Sequence, residues 1–189
     1  MEIKTAHFVK GITGTDPILT DGIPHIAFIG RSNVGKSSVI NSLTGKRGLV
    51  KSSGKPGKTQ EANFFLINKK IYFVDLPGYG FAKLPEKKRE KLRKLIIWYL
   101  TYSGVIHKKV VLIIDARVGM TALDQEMLTI LKECGSVFLV VANKVDALKS
   151  SERFAKERTL TAQVPDDAIL FYSAKNHEGK KKLLQILMN

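Results

Sequence analysis

The chain of 189 residues has one cysteine, Cys134, and no long apolar run. A single cysteine excludes an internal disulfide and fits a reducing compartment. The longest apolar stretches, 110–114 and 137–142, are far shorter than the roughly 20 residues needed to cross a bilayer, and no apolar signal segment follows the first residues. We therefore expect a cytoplasmic protein without membrane insertion.

Acidic residues are also scarce, because 17 of them stand against 31 lysines and arginines, for a formal net charge of +14. This excess favours a polyanionic partner, either nucleic acid or an anionic membrane surface. The alternative is an ordinary protein with a lysine-rich surface. The length suits one domain, and we expect a monomer in which residues 1–23 extend a domain formed by residues 24–189.

Short apolar segments alternate with amphipathic ones along most of the chain. This order predicts an α/β fold of three layers, with helices on both faces of a mainly parallel six-stranded sheet. The short connection 68–70 predicts a hairpin that adds one antiparallel edge strand, and residues 7–9 fit a further short strand. The predicted strands span residues 25–29, 63–68, 71–75, 110–115, 137–142 and 169–172, and the predicted helices span 36–43, 85–102, 123–132, 151–162 and 179–188.

Residues 30–37 follow the first predicted strand and match the phosphate-loop pattern G-x-x-x-x-G-K-[ST]. In such a loop, backbone N–H groups point at phosphate oxygens, and the following helix begins with a partial positive charge. We expect Lys36 to reach the β- and γ-phosphates and the Ser37 hydroxyl to hold Mg²⁺. The predicted contacts are Gly30, Arg31, Ser32, Asn33, Val34, Gly35, Lys36, Ser37 and Ser38.

Two further segments carry groups suited to phosphate and magnesium. In the segment Asp75, Leu76, Pro77 and Gly78, the carboxylate is expected to hold Mg²⁺ through water, and the Gly78 N–H is expected to approach the γ-phosphate. Alone, this segment also fits a strand-ending turn. Thr59 lies in a loop rich in glycine, serine and lysine, where its hydroxyl can join Mg²⁺ only while a γ-phosphate is present. A purely structural threonine is the alternative.

Two segments after later strands carry groups suited to a guanine base. The Asp146 carboxylate can accept hydrogen bonds from guanine N1–H and the exocyclic amine, and the Ala174 N–H can donate to O6. The stems of Lys144 and Lys175 can flank the ring, and the Asn143 amide can tie neighbouring loops together. Each segment alone fits a polar turn or helix cap. Together the five segments indicate a guanine-nucleotide site, whose predicted base contacts are Asn143, Lys144, Val145, Asp146, Ser173, Ala174 and Lys175.

The segments 30–38, 55–60 and 75–80 resemble the EngB family of P-loop GTPases, also called YihA or YsxC. The likeness extends over nearly the whole chain after about residue 23, although Asn143 stands where many members carry threonine. It implies a GTP-hydrolysing switch in the assembly of the large ribosomal subunit, through nucleotide-dependent binding to rRNA or pre-ribosomal particles. It also implies a link to cell division and septation, and it places Gly57, Lys58 and Thr59 in the nucleotide site.

Hydrolysis is expected to depend on Mg²⁺, with Lys36, Thr59, Gly78 and Asn33 as the catalytic set. Ras-like switches carry a water-orienting glutamine directly after the Asp-x-x-Gly segment, whereas this chain has Tyr79. We therefore predict slow intrinsic hydrolysis, completed by a partner or a bound ion. In some related GTPases an asparagine at the position of Asn33 helps to bind K⁺. The alternative is that Asn33 only stabilises the loop.

A basic cluster directly follows the Asp75–Gly80 segment, and it consists of Lys83, Lys87, Lys88, Arg89, Lys91, Arg93 and Lys94. Its position next to a nucleotide-sensing segment favours rRNA as the partner, and a solvated helix face is the alternative. Two other functions remain open. One is a nucleotide-sensing scaffold for division or membrane partners, with hydrolysis secondary. The other is an ATP-using transferase, which Asp146 disfavours.

Overall fold

A computed structural model describes residues 2–51, 61–80, 85–102, 104–164 and 168–189. Within these ranges the chain forms one sheet of seven strands, with helices between them. The strands are β1 (Ala6–Ile12), β2 (His25–Gly30), β3 (Ala62–Ile67), β4 (Ile71–Asp75), β5 (His107–Asp115), β6 (Phe138–Asn143) and β7 (Ile169–Tyr172). The α-helices are α1 (Lys36–Thr44), α2 (Glu86–Thr101), α3 (Ala122–Glu133), α4 (Ser150–Ala162) and α5 (Lys180–Met188).

The sheet has the order β1-β3-β4-β2-β5-β6-β7. The pairs from β4 through β7 are parallel, whereas β3 runs antiparallel to both β1 and β4. The hairpin between β3 and β4 turns at Asn68 and Lys69, which have left-handed backbones with φ of 50° and 57°. The mainly parallel α/β fold is thus confirmed. The described residues hold one strand more than the six predicted. The additional strand is β1, which pairs with β3, so that β1 and not β3 is the edge strand.

Successive side chains of the central strands pack against opposite layers of helices. Ile26 and Phe28 of β2 lie in one apolar cluster with residues of α1 and α5. Ala27 and Ile29 lie in a second cluster with residues of α2, α3 and α4. Because both faces of the strand are covered, every residue of β2 is buried. This burial makes β2 a rigid support for the loop that follows it.

The helix α2 separates an apolar face from a basic one. Leu92, Leu95, Ile96 and Tyr99 are buried, as their helical spacing predicts. Pro85 directly precedes the first helical residue, where a missing backbone N–H costs nothing. The basic residues of α2 occupy the exposed face, which begins at Lys87, twelve positions after the end of β4.

The segment before β2 packs into the same apolar core as the rest of the chain. Ile12, Ile18 and Leu19 are buried in the cluster that also holds residues of α2 and α3. The only cysteine, Cys134, follows the last residue of α3 and is partly exposed. None of the helices in the described ranges has the length and apolar character needed to cross a membrane.

Candidate nucleotide site

The topology brings four of the five sequence segments, those within the described residues, to one edge of the sheet, at the carboxyl ends of its parallel strands. Because β2, β4, β5, β6 and β7 run in the same direction, the segments that follow them lie side by side. In the register of the sheet, Asp115 pairs with Asn143, and Asn143 pairs with Tyr172. The phosphate loop follows the central strand, and the Asn143 and Ser173 segments follow on one side of it.

The phosphate loop turns into α1 at Gly35, whose backbone is left-handed with φ of 96°. A side chain there would collide with the amide of Asn143, so only glycine fits this position. The Asn143 amide donates to the carbonyl of Val34 at 2.9 Å, and its oxygen accepts the N–H of Ala174 at 3.1 Å. Asn143 is 1% exposed and therefore fixes the phosphate loop relative to the Ser173–Lys175 segment.

Lys36 and Asp75 form a nearly buried ion pair beside the loop. The Lys36 ammonium lies 3.3 Å from Oδ1 of Asp75, with the two side chains 11% and 4% exposed. Burial raises the pKa of the Asp75 carboxyl above its usual range, and the Lys36 ammonium offsets part of that effect. Oδ1 of Asp75 and Oγ of Ser32 are buried without a hydrogen-bond partner among the described residues. Unpaired buried polar atoms at this edge mark a place where a ligand can complete the hydrogen bonding.

The donor groups around this pair fit a magnesium ion shared with phosphates. Asp75 at the end of β4 and Ser37 in the first turn of α1 supply hard oxygen ligands. Within the described ranges there is no group of three or more His, Cys, Asp or Glu side chains that could hold a metal by itself. Mg²⁺ commonly takes only one or two protein carboxylates and completes its shell with nucleotide phosphates and water. The residues present therefore suit this ion.

The segment after β4 lies against the phosphate loop. The Ser32 N–H donates to the carbonyl of Tyr79 at 3.2 Å. A side chain at Gly78 would lie 3.0 Å from Oγ of Ser32, so the absence of one allows the two segments to approach closely. Leu76 and Pro77, which belong to the segment after β4, are buried. The hydroxyl of Tyr79 donates to Asp124 at 2.9 Å and is thereby directed to α3.

Lys144 connects the phosphate loop to the end of β5. Its backbone is left-handed with φ of 72°, and its ammonium donates to the Asn33 carbonyl at 2.5 Å and to Asp115 at 2.8 Å. Although burial raises the pKa of Asp115, hydrogen bonds from Arg117 and Lys144 outweigh it and lower the pKa to about 2. The Lys144 ammonium is therefore fixed by two oxygen atoms, one on the phosphate loop and one at the end of β5.

Asp146 is held by the Ser173–Lys175 segment. Oγ of Ser173 donates to Oδ1 of Asp146 at 2.6 Å and accepts the N–H of Lys175 at 3.2 Å. Oδ2 of Asp146 lies 3.9 Å from the Lys175 ammonium. Val145 is buried and anchors the short turn between them. The hydrogen bond to Oδ1 thus orients the Asp146 carboxylate, and Oδ2 remains available to a ligand.

Most of the predicted contacts among the described residues therefore lie at one edge of the sheet. Gly57, Lys58 and Thr59 lie outside the described residues. The side chain of Arg31 leaves the phosphate loop and donates to Asp124 at 2.9 Å, so that its backbone alone lines the loop. Ser38 and Asn33 are exposed at the rim.

Two residues of this region carry no prediction from sequence. Asp115 ends a buried strand at the same edge as the predicted segments, a position that could have marked it. Asp124 is 0% exposed within the first turn of α3. The pattern Thr121-x-x-Asp124 before an apolar helix is a capping-box signature and could have identified the start of α3. Neither pattern reveals the contacts that Lys144, Arg31 and Tyr79 make with these carboxylates.

A phosphate loop between a central parallel strand and a helix, with base and magnesium segments at the same sheet edge, defines a P-loop GTPase domain. Residues 25–144 match the family model described as 50S ribosome-binding GTPase. The chain belongs to the EngB family of GTP-binding proteins within this group of GTPases.

Three known proteins illustrate this relationship. The chain is 43% identical over 185 residues to the probable GTP-binding protein EngB of Chlorobaculum tepidum. The aligned region covers 97% of this chain and 96% of the relative. It is 43% identical over 192 residues to the protein of the same name from Clostridium perfringens, which covers 100% and 97%. A crystal structure of a probable GTP-binding protein EngB superimposes with a TM-score of 0.72 at 27% identity, over 87% of this chain and 96% of that one.

Proposed function

We propose that the protein is a GTP-hydrolysing switch that acts in assembly of the large ribosomal subunit. It would bind rRNA or pre-ribosomal particles as a monomer in the cytoplasm, in a manner that depends on the bound nucleotide. The observation that carries this proposal is the position of the basic face of α2. That face begins at Lys87, nine positions after Gly78, the residue proposed to contact the γ-phosphate.

In the proposed site, different segments of the chain bind the phosphates, the base and the magnesium ion. Lys36 and the N–H groups of the phosphate loop neutralise the phosphates, and the Gly78 N–H senses the γ-phosphate. Asp146, Ala174 and the Lys144 stem recognise the base. Bound Mg²⁺, held by Ser37, Thr59 and water on Asp75, would neutralise charge on the phosphates. The protein groups thus act through position and charge and form no covalent bond to the substrate.

We infer that intrinsic hydrolysis is slow. Tyr79 has no amide to orient a water molecule, and its hydroxyl is taken by Asp124. The ring is 8% exposed and sits between the phosphate loop and α3. A bound ion or a partner is therefore needed to complete the charge stabilisation around the phosphates.

K⁺ is the ion that we propose for this role, with Asn33 as a ligand. Asn33 is exposed at the rim of the loop, and its left-handed backbone has φ of 68°. We expect GTP hydrolysis to be at least about tenfold faster in KCl than in NaCl of equal concentration, because one added positive charge near the phosphates is worth that much or more. Steady-state phosphate release measures the effect.

The variant Asn33→Ala is the control for the potassium experiment. It should lower the rate in KCl to the rate in NaCl, whereas the rate in NaCl should change little. Equal rates of the unchanged protein in the two salts would contradict a potassium site. Asn33 would then act only in stabilising the loop, in which its backbone carbonyl accepts a hydrogen bond from the Lys144 ammonium.

The basic face of α2 has cations available for phosphate groups. Arg93 pairs with Glu126 at 2.5 Å, and Lys94 pairs with Glu90 at 2.8 Å. The remaining basic residues of this helix are exposed and form no ion pair with any described residue; they are Lys87, Lys88, Arg89 and Lys91. Cations without an internal partner keep their charge for an external polyanion, whose counterions they release on binding.

Co-sedimentation with large-subunit particles tests the proposed function. Protein loaded with GTP, with GDP or with no nucleotide is compared at two salt concentrations. We expect the GTP-loaded form to bind most tightly and the binding to weaken steeply as salt rises. Association that ignores both nucleotide and salt would contradict the proposal and favour the scaffold function.

The triple variant Lys87→Gln, Lys88→Gln and Lys91→Gln is expected to weaken particle binding and to lower the slope of log affinity against log salt by about 2–3, since each lost phosphate contact removes about 0.7–0.9 from it. The matched control replaces Lys149, directly before α4, together with Lys156 and Arg158 of that helix, which connects β6 to β7 far from β4. An equal loss in both triple variants would show that only total charge matters.

A further inference from the structure

A buried carboxylate at the start of α3 joins three parts of the molecule. Asp124 is 0% exposed, and its Oδ1 accepts the hydroxyl of Tyr79 at 2.9 Å. Its Oδ2 accepts the Arg31 side chain at 2.9 Å and the N–H and hydroxyl of Thr121 at 3.0 and 2.7 Å. One side chain thus connects the phosphate loop, the segment after β4 and the N-terminus of α3.

The network exceeds what capping of α3 requires. Thr121 and Asp124 already form a complete capping box, with reciprocal side-chain and backbone hydrogen bonds. The additional bonds from Arg31 and Tyr79 are long-range contacts, to residues 93 and 45 positions away in sequence. A buried carboxylate that accepts four donors is rigid, because loss of any one leaves a buried polar group unpaired.

Tyr79 is fixed from two sides. Its carbonyl accepts the Ser32 N–H at 3.2 Å, and its backbone forms a parallel bridge with Arg31 of the phosphate loop. On the other side its ring is buried and its hydroxyl reaches Asp124. Burial and the Asp124 carboxylate raise the pKa of Tyr79 far above its usual value, so the phenol stays protonated and donates at neutral pH.

The residues on either side of Tyr79 leave little freedom for movement. Gly80 has φ of 76°, and a side chain there would lie 3.0 Å from Leu123 of α3. Gly78 is packed equally close to Ser32 of the phosphate loop. Gly78 and Gly80 are therefore each held by a close contact, and Asp124 fixes the hydroxyl of Tyr79 between them.

We propose that Asp124 is a positioning residue for recognition of the triphosphate: through Tyr79 it holds the Gly78 N–H toward the γ-phosphate, and so strengthens the binding of GTP relative to that of GDP. Asp124 itself touches no part of the nucleotide. The inference rests on the proposed function, in which Gly78 contacts the γ-phosphate. It makes α3 part of the nucleotide-sensing apparatus, together with the segment that leads into α2.

The test compares Tyr79→Phe and Asp124→Asn with Tyr72→Phe. Tyr72 is the matched control, because its hydroxyl also donates to an aspartate, Asp21, at 2.9 Å, but at the other end of β4. Calorimetry measures the affinities for GDP and for a non-hydrolysable GTP analogue, and phosphate release gives kcat and KM. Thermal unfolding reports any purely structural effect.

Tyr79→Phe and Asp124→Asn are each expected to lower affinity for the GTP analogue about tenfold, to leave GDP affinity within about twofold, and to lower kcat. The double variant should lose little more than either single one, because both substitutions act on the same contact between residues 79 and 124. Tyr72→Phe should lower thermal stability without changing the affinity ratio. A merely structural role for Asp124 predicts this last pattern for all three variants.

Equal losses for both nucleotides, an unchanged ratio, or a gain in affinity for the GTP analogue would each overturn the inference while leaving the proposed function intact. If the unchanged protein bound neither nucleotide, the proposed function and the inference would fall together. Tyr79→Phe decides the matter if Asp124→Asn does not fold, since it removes a single oxygen atom from a ring that stays buried.

Discussion

The substitution Asp146→Asn is expected to weaken binding of GTP and GDP by at least about 10²-fold and to give the protein affinity for xanthosine nucleotides. A site built around polar groups rejects a ligand that leaves those groups unpaired by factors of up to about 10⁴–10⁵. Guanine offers two donors, N1–H and the exocyclic amine, to a carboxylate. An asparagine amide would face the guanine amine with a donor of its own.

Xanthine has a carbonyl oxygen where guanine has the amine. The side-chain amide that the substitution introduces could therefore donate to that oxygen, while its carbonyl accepts N1–H. The side chain at position 146 should keep its orientation, because Ser173 would still donate to the oxygen of the new side chain. That hydrogen bond measures 2.6 Å in the unchanged protein and fixes which way the carboxylate faces.

Fluorescence titration with GTP, GDP and XTP measures this change of specificity. Asp21→Asn is the matched control, because Asp21 also accepts a hydroxyl, from Tyr72 at 2.9 Å, and lies at the other end of the sheet. The control should bind GTP as tightly as the unchanged protein does and should not bind XTP. If Asp146→Asn bound GTP as tightly as the unchanged protein, Asp146 would not contact the base.

The elements that sequence predicts well are those whose side chains repeat regularly. The strands β4 and β7 begin and end where predicted, because each is a short, almost continuously apolar run. The apolar stripe of α2 is equally regular and is buried as expected. The order of these elements is enough to place the four nucleotide segments that lie within the described residues at one edge.

The edge strand β1 shows why other parts are harder to predict. Only the first and last residues of Ala6–Ile12 are buried, and Phe8 is 52% exposed. No alternation of polar and apolar residues marks such a strand, since its partner is the backbone of β3. Residues 7–9 fitted a strand by composition alone, and the full length depends on pairing with a strand more than fifty residues later.

The contacts among charged side chains at the site are also invisible in the sequence. The ammonium of Lys144 reaches Asp115 across 29 positions, and the hydroxyl of Tyr79 reaches Asp124 across 45. Both bonds depend on which strands are neighbours and on how far each side chain extends. Local patterns supply the donors and acceptors, and only the assembled sheet pairs them.

The substitution Lys36→Met is expected to reduce GTP hydrolysis by at least about 10²–10³-fold, because it removes a preorganised positive charge from the phosphates. It also breaks the ion pair with Asp75 and leaves a buried carboxylate without its counter-charge. Breaking such a pair costs up to about 3–5 kcal/mol of stability. A loss of activity in this variant alone therefore has two possible causes, which a second substitution separates.

The double variant Lys36→Met with Asp75→Asn has no buried charge at this position. We expect it to regain most of the stability that Lys36→Met loses, because a neutral pair of similar volume replaces the ion pair. Hydrolysis should not recover, since neither the positive charge nor the magnesium ligand returns. Urea unfolding without nucleotide measures stability, and phosphate release measures activity. Recovered hydrolysis in the double variant would contradict the assigned roles of both residues.

The pH dependence of stability distinguishes the buried carboxylate from a general packing defect. Burial raises the pKa of Asp75 above its usual 3.8, so the folded protein binds this proton more tightly than the unfolded chain does. The contribution of this group to stability is therefore present at low pH and is lost as pH rises above that usual value. Without Lys36 to oppose the effect of burial, the loss should be larger in Lys36→Met than in the unchanged protein.

The unfolding free energy of Lys36→Met should accordingly approach that of the unchanged protein as pH falls from 8 toward 5, and the double variant should show no such trend relative to it. Lys10→Met is the control, because Lys10 pairs with Asp16 at 2.7 Å on the surface, where water and salt screen the pair and its loss should change stability little at any pH. A deficit in Lys36→Met that stayed constant with pH would mean that lost packing, and not an unpaired buried charge, destabilises the variant.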